Sequence, residues 1–580
     1  MLDVLSGRSG YDAGVISING EPLTSQSKKK LMSKIAYVKQ SDVFFDHLTA
    51  RDQLVYTALL RLPSTVSREE KIAEVERVIS LLRLDKVADS PIMLCSGGEK
   101  KRINIGTELL TDPQVLLLDE PTSGLDSTSA VALIKLLQAL SRSEKKTVIT
   151  SIHQPSSAVF RSFDKLLMLA EGNVVFFGTP EGSLSYLSER GLKTPEGYNA
   201  ADHWMDLLVR DDFIEDVVCG IGDTDSASLN PAAQTPSPAF HHRRKSSIVD
   251  VDKPRGLLIN SWDNDALAKE QDSSVEQVWA EETRKDRRLL ESMNKYNTDW
   301  LTQYLVLTHR GMKNSRSAIF TPLNFIKSAA LGFVVGLMFF QIGNTEGSVQ
   351  DKSSFCFFTM TYWVFESMFD ALMSFPTERD IILKERASGS YRLSAYFMAK
   401  TTSEAPTRLI LPFIYTVIAF WMSGINDKFT VFLGTTGLTL LSVLSGEAIG
   451  LLIGAGIYDL QRAMAFMTVV ALGLMLLGGF YVEDVPVFMS WARYLSPFKY
   501  AFDASLHLVF DENVPCDGSG ALGDLCGGSD EGYATPEQVT QFLRVDGSIG
   551  FNVGMLLVIS AVPRYVAYLA LRSKKSGERE

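Results

Sequence analysis

The stretch that most constrains the fold is residues 94–126, LCSGGEKKRINIGTELLTDPQVLLLDEPTSGLD. Near its start, Ser96 precedes two glycines, which let backbone N–H groups approach an anion at the beginning of a helix. About twenty residues later, the apolar run 115–118 predicts a buried parallel strand. Asp119 and Glu120 follow its carboxyl end, where open α/β sheets bind ligands. The stretch therefore predicts an α/β domain that handles phosphate.

The two carboxylates suit nucleotide hydrolysis. Asp119 can hold Mg²⁺ directly or through water, and Glu120 can accept a proton from an attacking water. A solvated acidic turn is the alternative for an isolated LLLDE. The SGGE sequence upstream and Gly124-Leu125-Asp126 downstream make hydrolysis the better interpretation.

These motifs resemble the signature motif, Walker B strand and D-loop of an ATP-binding cassette protein. The variant CSGGEKKR resembles the G subfamily, the white/brown-complex and drug-resistance transporters, and the resemblance covers nearly the whole chain. It implies ATP and Mg²⁺ as cofactors, Glu120 and His153 as catalytic residues, and Asp119 and Gln40 at the metal. The residues that it assigns to the nucleotide are Gln40, Ser96, Gly97, Gly98, Glu99 and Asp126.

Gln40 and His153 are assigned to the site because they occur at the expected places in the family's order of motifs. Gln40 ends the short strand IAYVKQ and resembles the Q-loop residue. His153 ends TVITSIH, which is predicted as a second buried strand, and resembles the switch histidine. A single glutamine or histidine after a strand is more often structural, so both assignments depend on the resemblance.

No G-x-x-x-x-G-K-[ST] loop occurs in the chain, and residues 1–20 resemble the helix and strand that follow such a loop. We favour the interpretation that the sequence is a truncated gene model or a fragment, from which this loop is missing. The alternative is a degenerate cassette that cannot hydrolyse ATP at its own site.

The cassette is predicted to span residues 1–210, and a change in composition marks 211–297 as a disordered cytoplasmic linker. Within it, the sequence around Ser246 fits a basophilic kinase site, although a solvated basic patch is the commoner explanation for so short a pattern.

Apolar residues are concentrated in residues 298–580, a predicted all-α transmembrane domain. Residues 300–314 predict an amphipathic helix at the inner surface. Basic residues flank the predicted spans on one side, which places the cassette and both termini in the cytoplasm. The six predicted spans are 318–341, 354–375, 406–423, 430–456, 463–482 and 549–571.

Two loops of this domain carry further predictions. Residues 375–400 resemble the intracellular loop that couples cassette to membrane domain, through Glu378, Arg379, Glu385 and Arg386. The outside loop at about 483–548 contains Cys516 and Cys526, which could form a disulfide because the outer face is oxidising.

The predicted fold is thus an α/β nucleotide-binding cassette, P-loop NTPase-like but incomplete, followed by six transmembrane helices. The resemblance implies a half transporter that dimerises with an identical or different half and exports a lipid, sterol or xenobiotic, most plausibly across the plasma membrane. The alternative that the chain is a partner subunit, which does not hydrolyse ATP but supplies its signature motif, remains open.

Six spans argue against a soluble cassette ATPase, and Glu120 with His153 argues against a gated receptor or channel. The net charge of −11 argues against a nucleic-acid partner.

Overall fold

A computed structural model describes the chain in two compact units. The described residues are 1–10, 13–14, 16–18, 21–22, 34–208, 254–263, 296–319, 321–457, 459–482, 486–517, 519, 522 and 532–573. The first unit comprises residues 1–41, 96–108 and 112–293, and the second comprises 42–95, 109–111 and 294–580. Ser246, Cys219 and Cys526 lie outside the described residues.

The amino-terminal half mixes strands and helices. Its strands are β1 (Ser17–Ile18), β2 (Glu21–Pro22), β3 (Ile35–Val38), β4 (Val115–Leu118), β5 (Thr147–Thr150), β6 (Leu166–Ala170) and β7 (Asn173–Gly178). Its helices are α1 (Leu2–Leu5), α2 (Ala50–Arg61), α3 (Arg68–Leu81), α4 (Gly97–Leu109), α5 (Ser127–Glu144), α6 (Ser157–Phe160), α7 (Pro180–Glu189), α8 (Ala200–Leu208) and α9 (Pro254–Asp263).

A parallel sheet with the order β3-β4-β5 organises the first unit. Its central strand β4 is buried, as the run of apolar residues predicts. The strand β5 was predicted to be buried, but Ile149 is 40% exposed. Among the described strands β5 pairs only with β4, so it is an edge strand with one uncovered side.

The predicted disorder of the linker is wrong for residues 254–263, which form helix α9. Its side chains Leu258, Ile259 and Trp262 are buried in an aromatic cluster with Phe176 and Trp204. Such burial stabilises the helix because each large apolar side chain contributes about 1.5–3 kcal/mol. Low average apolar content concealed one short amphipathic segment.

The carboxyl-terminal half is helical. Its helices are α10 (Trp300–Ile319), α11 (Pro322–Met338), α12 (Val349–Ala387), α13 (Leu393–Ser423), α14 (Phe429–Gly456), α15 (Leu460–Leu476), α16 (Pro497–Val509), α17 (Pro536–Phe542) and α18 (Ile549–Ser573). Short strands β8 (Val514–Pro515) and β9 (Tyr533–Ala534) pair antiparallel.

Each of the six predicted spans coincides with a helix, α11 to α15 and α18. By length and composition, three of the described helices could cross a membrane: α13, α14 and α18. Helices α11 and α15 are apolar but have 17 residues each, and α12 includes charged residues. Six spans therefore stay a prediction.

Glycines bring α14 and α12 into close contact. Gly446, Gly450 and Gly454 lie four residues apart on one face of α14. A Cβ atom on Gly446 would lie 2.6 Å from the Val364 carbonyl oxygen, and one on Gly450 would lie 2.8 Å from Ala371 Cβ. Only glycine permits this backbone approach, which is the usual small-residue packing between membrane helices.

A chain of buried ion pairs crosses the helices of the second unit. Lys400 contacts Glu378 at 2.9 Å and Glu404 at 2.8 Å. Arg408 also contacts Glu404 at 2.8 Å and lies 3.9 Å from Glu447. We call the residues Glu378, Lys400, Glu404, Arg408, Glu447 and Arg564 the ion chain, because Arg564 in turn contacts Glu447 at 2.8 Å. It links helices α12, α13, α14 and α18.

Candidate functional site

The carboxyl ends of β3, β4 and β5 lie at one edge of the parallel sheet. Val38 pairs with Leu118, and Leu118 pairs with Thr150, so the residues that follow each strand meet there. This register brings together Gln40, Asp119, Glu120 and Ser151. The sequence reasoning placed Asp119 and Glu120 at this edge from the strand pattern, and it assigned Gln40 to the metal through the family resemblance.

Glu120 is held in a defined orientation. Gln40 Nε2 donates a hydrogen bond to Glu120 Oε2 at 2.8 Å, and the Glu120 N–H donates to Ser151 Oγ at 3.0 Å. The backbone of Glu120 is left-handed, with φ of +43°. That conformation costs a non-glycine residue about 1–2 kcal/mol and is typical of functional sites. The strand-to-loop turn thus directs a carboxylate to the sheet edge.

Asp119 is fixed by two hydroxyl donors. Ser151 Oγ donates to Asp119 Oδ1 at 2.7 Å, and the Tyr37 hydroxyl donates to Asp119 Oδ2 at 3.3 Å. Burial and the negative charge of Asp119 raise the pKa of Tyr37 well above its usual value, so the phenol stays a donor.

The donor set at this edge fits a hard cation. Oxygen ligands, with one or two carboxylates and the remaining positions left to water and phosphate, are what Mg²⁺ prefers. Asp119 supplies a carboxylate, and Gln40 uses its amide nitrogen on Glu120, which leaves its amide oxygen for a metal. No group of three or more His, Cys, Asp and Glu side chains that could hold a metal occurs in the parts of the chain that are described.

A cleft of about 700 Å³ contains both predicted catalytic residues. Glu120 and His153 line it, together with Ser123 and Gly124 of the loop before α5. The His153 side chain is exposed. A carboxylate base and an imidazole that share one open cleft could both reach a bound water and a phosphate group.

The signature residues adopt a helix-capping geometry. Ser96 Oγ and the Ser96 N–H both donate to Glu99 Oε2, at 2.7 Å and 2.8 Å, at the start of α4. Burial opposes the charge of Glu99, but these bonds lower its pKa overall. Asp126 likewise accepts from the Ser129 N–H at 3.0 Å as the N-cap of α5, and hydrogen bonds from Ser129 lower its pKa.

Packing among the described residues does not require a glycine at either signature position. A Cβ on Gly97 would lie 3.5 Å from Leu125 Cδ2, and one on Gly98 would lie 3.7 Å from Ser129 Cβ. Both are ordinary van der Waals distances, and these glycines do not line the cleft. The local fold therefore leaves the glycines unexplained.

The sequence reasoning missed two residues that orient the site. Ser151 contacts both Asp119 and Glu120. Lys101 is 2% exposed and donates from Nζ to the Gln40 carbonyl oxygen at 2.7 Å. Ser151 could have been found, because it is the first residue after a strand parallel to β4.

The predicted coupling residue Glu385 has a buried partner in α10. Arg310, with a side chain 4% exposed, donates to both Glu385 oxygens at 2.6 Å and 3.0 Å. Tyr391 donates to Glu385 Oε2 at 2.6 Å. Burial opposes the charge of Arg310, but the Glu385 carboxylate raises the pKa of Arg310 above its usual value.

The other coupling residues have separate surroundings. Glu378 accepts a hydrogen bond from Tyr396 and contacts Lys400. Arg386 Nη1 donates to the Leu571 carbonyl oxygen at 3.3 Å, whereas Arg379 is half-buried. Glu378 and Glu385 are thus held by different basic side chains, Lys400 and Arg310.

Residues 42–61, which follow the Q-loop, pack against α10 in the second unit. The Tyr56 hydroxyl lies 2.8 Å from His309 Nδ1, and Lys313 contacts Asp52 at 2.8 Å. Burial and the charge of Asp52 raise the pKa of Tyr56 to about 12. Arg310 lies 4.6 Å from the Phe45 ring centroid, which is within cation–π range.

Cys516 is disulfide-bonded. Its predicted partner Cys526 lies outside the described residues, so this pairing stays a prediction. Cys95 and Cys356 are free and buried.

Three family profiles match the chain. The family described as "ABC transporter" matches residues 1–123. Two families described as "ABC-2 type transporter" match residues 302–510 and 153–217. Their order is cassette first and membrane domain second.

Curated relatives match most of this chain. "ABC transporter G family member 21" of Arabidopsis thaliana is 34% identical over 99% of this chain and 81% of its own length. "Protein white" of Drosophila melanogaster is 29% identical over 97% of this chain and 76% of its own length. The "Broad substrate specificity ATP-binding cassette transporter ABCG2" of Bos taurus is 31% identical over 89% of this chain and 77% of its own length.

Among solved structures, the match to cbiO1 from Clostridium perfringens, "Part of the ABC transporter complex cbiONQ", covers 33% of this chain and 74% of that one at 24% identity. Its TM-score is 0.29.

Proposed function

Because the chain belongs to the G family of ABC transporters, we propose that it is a half transporter that uses ATP to export a lipophilic compound as a dimer. The observation that carries the proposal is the edge where Gln40 holds Glu120 and Ser151 holds Asp119. The membrane domain makes it a multi-pass membrane protein, and we assign the cassette and both termini to the cytoplasm and the dimer to the plasma membrane.

Glu120 acts as the general base in this proposal. Gln40 and the left-handed turn direct its carboxylate into the cleft that also contains His153. Asp119 and the Gln40 amide oxygen are the groups that would hold Mg²⁺, which supplies charge compensation for phosphate oxygens. Ser151 keeps the two carboxylates in their separate orientations.

Coupling follows from the position of Gln40 in the chain. It precedes by two residues Asp42, where the chain enters the second unit. There Phe45, Tyr56 and Asp52 contact Arg310, His309 and Lys313 of α10. Arg310 binds Glu385 at the end of α12, so a shift of residues 42–61 reaches a helix of the membrane domain through packed charged groups.

The signature geometry supports a dimer. No described atom would lie closer than 3.5 Å to a Cβ on Gly97 or Gly98, and backbone near two glycines at a helix start can approach an anion. We assign that anion to the nucleotide of a partner cassette. The choice between an identical and a different partner stays open.

A subunit that supplies only its signature motif is the second candidate. It would need only the signature residues Ser96, Gly97 and Gly98 at the start of α4. Such a subunit would show no hydrolysis as a homodimer and would stimulate hydrolysis by another half transporter.

The test uses protein tagged at its carboxyl terminus in the native gene, so that any preceding sequence is retained. Purified protein in liposomes is assayed for ATP hydrolysis and for export of a fluorescent lipid. We expect Glu120→Gln to lower hydrolysis about 100-fold or more, because general-base catalysis contributes that much. Glu181→Gln, an exposed change in α7, is the matched control and should retain activity.

Normal hydrolysis by Glu120→Gln would contradict the assignment of the base. Hydrolysis that appears only after co-expression with another half transporter, and that Glu120→Gln of this chain leaves unchanged, would support the second candidate instead.

A further inference from the structure

A buried lysine of the signature helix holds the backbone of the loop that carries Gln40. Lys101 lies in the second turn of α4, and its residue is 2% exposed. The Lys101 Nζ donates a hydrogen bond to the Gln40 carbonyl oxygen at 2.7 Å, across 61 residues of sequence. Because a buried ammonium group is costly without acceptors, this charged hydrogen bond restrains both the lysine side chain and the Gln40 backbone.

The same face of α4 also contacts the loop before α5. Gly97 lies four residues before Lys101, which places both on one side of the helix. A Cβ atom on Gly97 would lie 3.5 Å from Leu125 Cδ2 and 3.9 Å from the Gly124 carbonyl oxygen. Helix α4 therefore packs on the loops that follow both β3 and β4, so a displacement of α4 acts on both loops together.

From Gln40 the contact continues to the carboxylate that we propose as the base. Gln40 Nε2 donates to Glu120 Oε2 at 2.8 Å. The carbonyl oxygen that Lys101 holds and the amide that holds Glu120 belong to the same residue, so a shift of the Gln40 backbone also shifts its side chain. Two successive hydrogen bonds thus join the signature helix to Glu120.

The beginning of α4 is the part that we assign to the nucleotide of a partner cassette. Ser96 precedes Lys101 by five residues, about 7.5 Å along the helix axis. Backbone hydrogen bonds between successive turns make so short a length of helix move as one piece. A change in what the signature end contacts can therefore reach Glu120 of the same cassette through Lys101 and Gln40.

We propose that Lys101 is a positioning residue, which makes the orientation of Glu120 depend on the position of the signature helix. In a dimer, the nucleotide that the partner cassette presents to this signature motif would then help to set the base of this cassette. The inference rests on the proposed function, which supplies the dimer and the role of Glu120.

The first test measures ATP hydrolysis by Lys101→Met in the liposomes described above. Methionine keeps a long apolar side chain in the same place and removes the donor. We expect kcat to fall about 10- to 100-fold, because a misplacement of a catalytic group by about 1 Å costs up to that much. The KM for ATP should stay within about twofold, since the described lining of the cleft does not include Lys101.

A double-mutant cycle with Gln40 separates positioning from general stability. Gln40→Ala removes the side chain that holds Glu120, so in that background Lys101→Met should lower kcat by less than about a further twofold. If Lys101 only stabilised the fold, the two losses would multiply. Lys135→Met, an exposed change of the same kind in α5, is the matched control and should keep kcat unchanged.

A second measurement needs no hydrolysis. Ser41 is exposed and follows Gln40, so a spin label on Ser41→Cys reports the mobility of this loop. We expect Lys101→Met to raise the mobility of the label without nucleotide, because the bond to the Gln40 carbonyl oxygen is lost. Lys135→Met should leave the label unchanged, and protein without Ser41→Cys supplies the background signal.

Unchanged kcat in Lys101→Met, unchanged mobility of the label, or losses that multiply with Gln40→Ala would each overturn the inference. If wild type hydrolyses no ATP although the label responds to Lys101→Met, only the proposed function fails. If hydrolysis depends on Glu120 but does not respond to Lys101→Met, only this inference fails.

Discussion

At the scale of single residues, Ser151 sets the orientations of the adjacent residues Asp119 and Glu120. Its hydroxyl donates to Asp119 while it accepts the N–H of Glu120. Consecutive side chains at the end of a strand point in different directions, so one serine can fix the metal-side carboxylate and the turn that carries the base.

We predict that Ser151→Ala lowers ATP hydrolysis about 10- to 100-fold, because a hydrogen bond to a charged group contributes about 1.5–3 kcal/mol. Ser151→Thr retains the hydroxyl and should keep most of the activity. Hydrolysis rates of both variants, measured in liposomes, check this, and an equal loss in both would assign the effect to packing of β5 instead.

The pair Arg310–Glu385 should be strongly coupled, because both side chains are buried and bonded twice. We expect Arg310→Gln or Glu385→Gln to cost about 3–5 kcal/mol, since each leaves a buried charge without its partner. The measurement is a double-mutant cycle on thermal unfolding in detergent.

In that cycle the double variant should lose much less stability than the two single variants lose when their losses are added. The exposed pair Lys428–Asp511 is the control, with an expected coupling below about 1 kcal/mol. Additive losses at Arg310 and Glu385 would mean that the two residues stabilise the fold independently.

At the scale of elements, glycines set the distance between α12 and α14. Gly450 faces the α12 backbone at the Met368 carbonyl, whereas a Cβ on Gly437 of the same helix would meet nothing within 4 Å. The pattern of glycines four residues apart was visible in the sequence, but only the structure tells which glycines are in contact.

We predict that Gly450→Ala lowers the stability by about 1–3 kcal/mol, because the added methyl group forces two helices apart. Gly437→Ala introduces the same group without a clash and should be neutral or raise stability by up to about 1 kcal/mol. Thermal unfolding of the two variants provides the comparison, and equal midpoints would exclude close packing as the role of Gly450.

Helix α9 also depends on tertiary contacts that the local sequence does not reveal. Trp262 packs edge-on against Phe176 with centroids 5.7 Å apart, and the Tyr186 hydroxyl lies 2.9 Å from Ser261 Oγ. A ten-residue helix is marginal alone, so its stability depends on this docking surface rather than on helix propensity.

At the scale of the whole molecule, each cassette is proposed to depend on a second one. The signature motif caps its own helix, and a Cβ on either glycine would meet the described atoms only at ordinary van der Waals distances. Stability and activity should therefore respond differently to a change in this motif.

We predict that Gly98→Ala leaves thermal unfolding unchanged, because its Cβ would lie 3.7 Å from Ser129 Cβ. It should nevertheless lower ATP hydrolysis of the dimer at least tenfold, since the methyl group would stand between the backbone and a phosphate. A parallel loss of stability and activity would show that the glycine serves only the local fold.

The sequence by itself determined the family, the order of cassette and membrane domain, and the edge where Gln40, Asp119 and Glu120 meet. Because open α/β sheets bind ligands at the carboxyl ends of their strands, the strand pattern alone placed Asp119 and Glu120 there, whereas Gln40 was assigned through its resemblance to the Q-loop residue. Runs of about 20 largely apolar residues likewise located the helices at the six predicted spans, because a helix needs that length of apolar sequence to cross a bilayer.

Only the tertiary structure decided which side chains meet across elements. Tyr56 contacts His309, Arg310 contacts Glu385, and Glu447 contacts Arg564, across sequence separations of 253, 75 and 117 residues. Such pairs arise from the packing of whole helices, which local propensity does not encode.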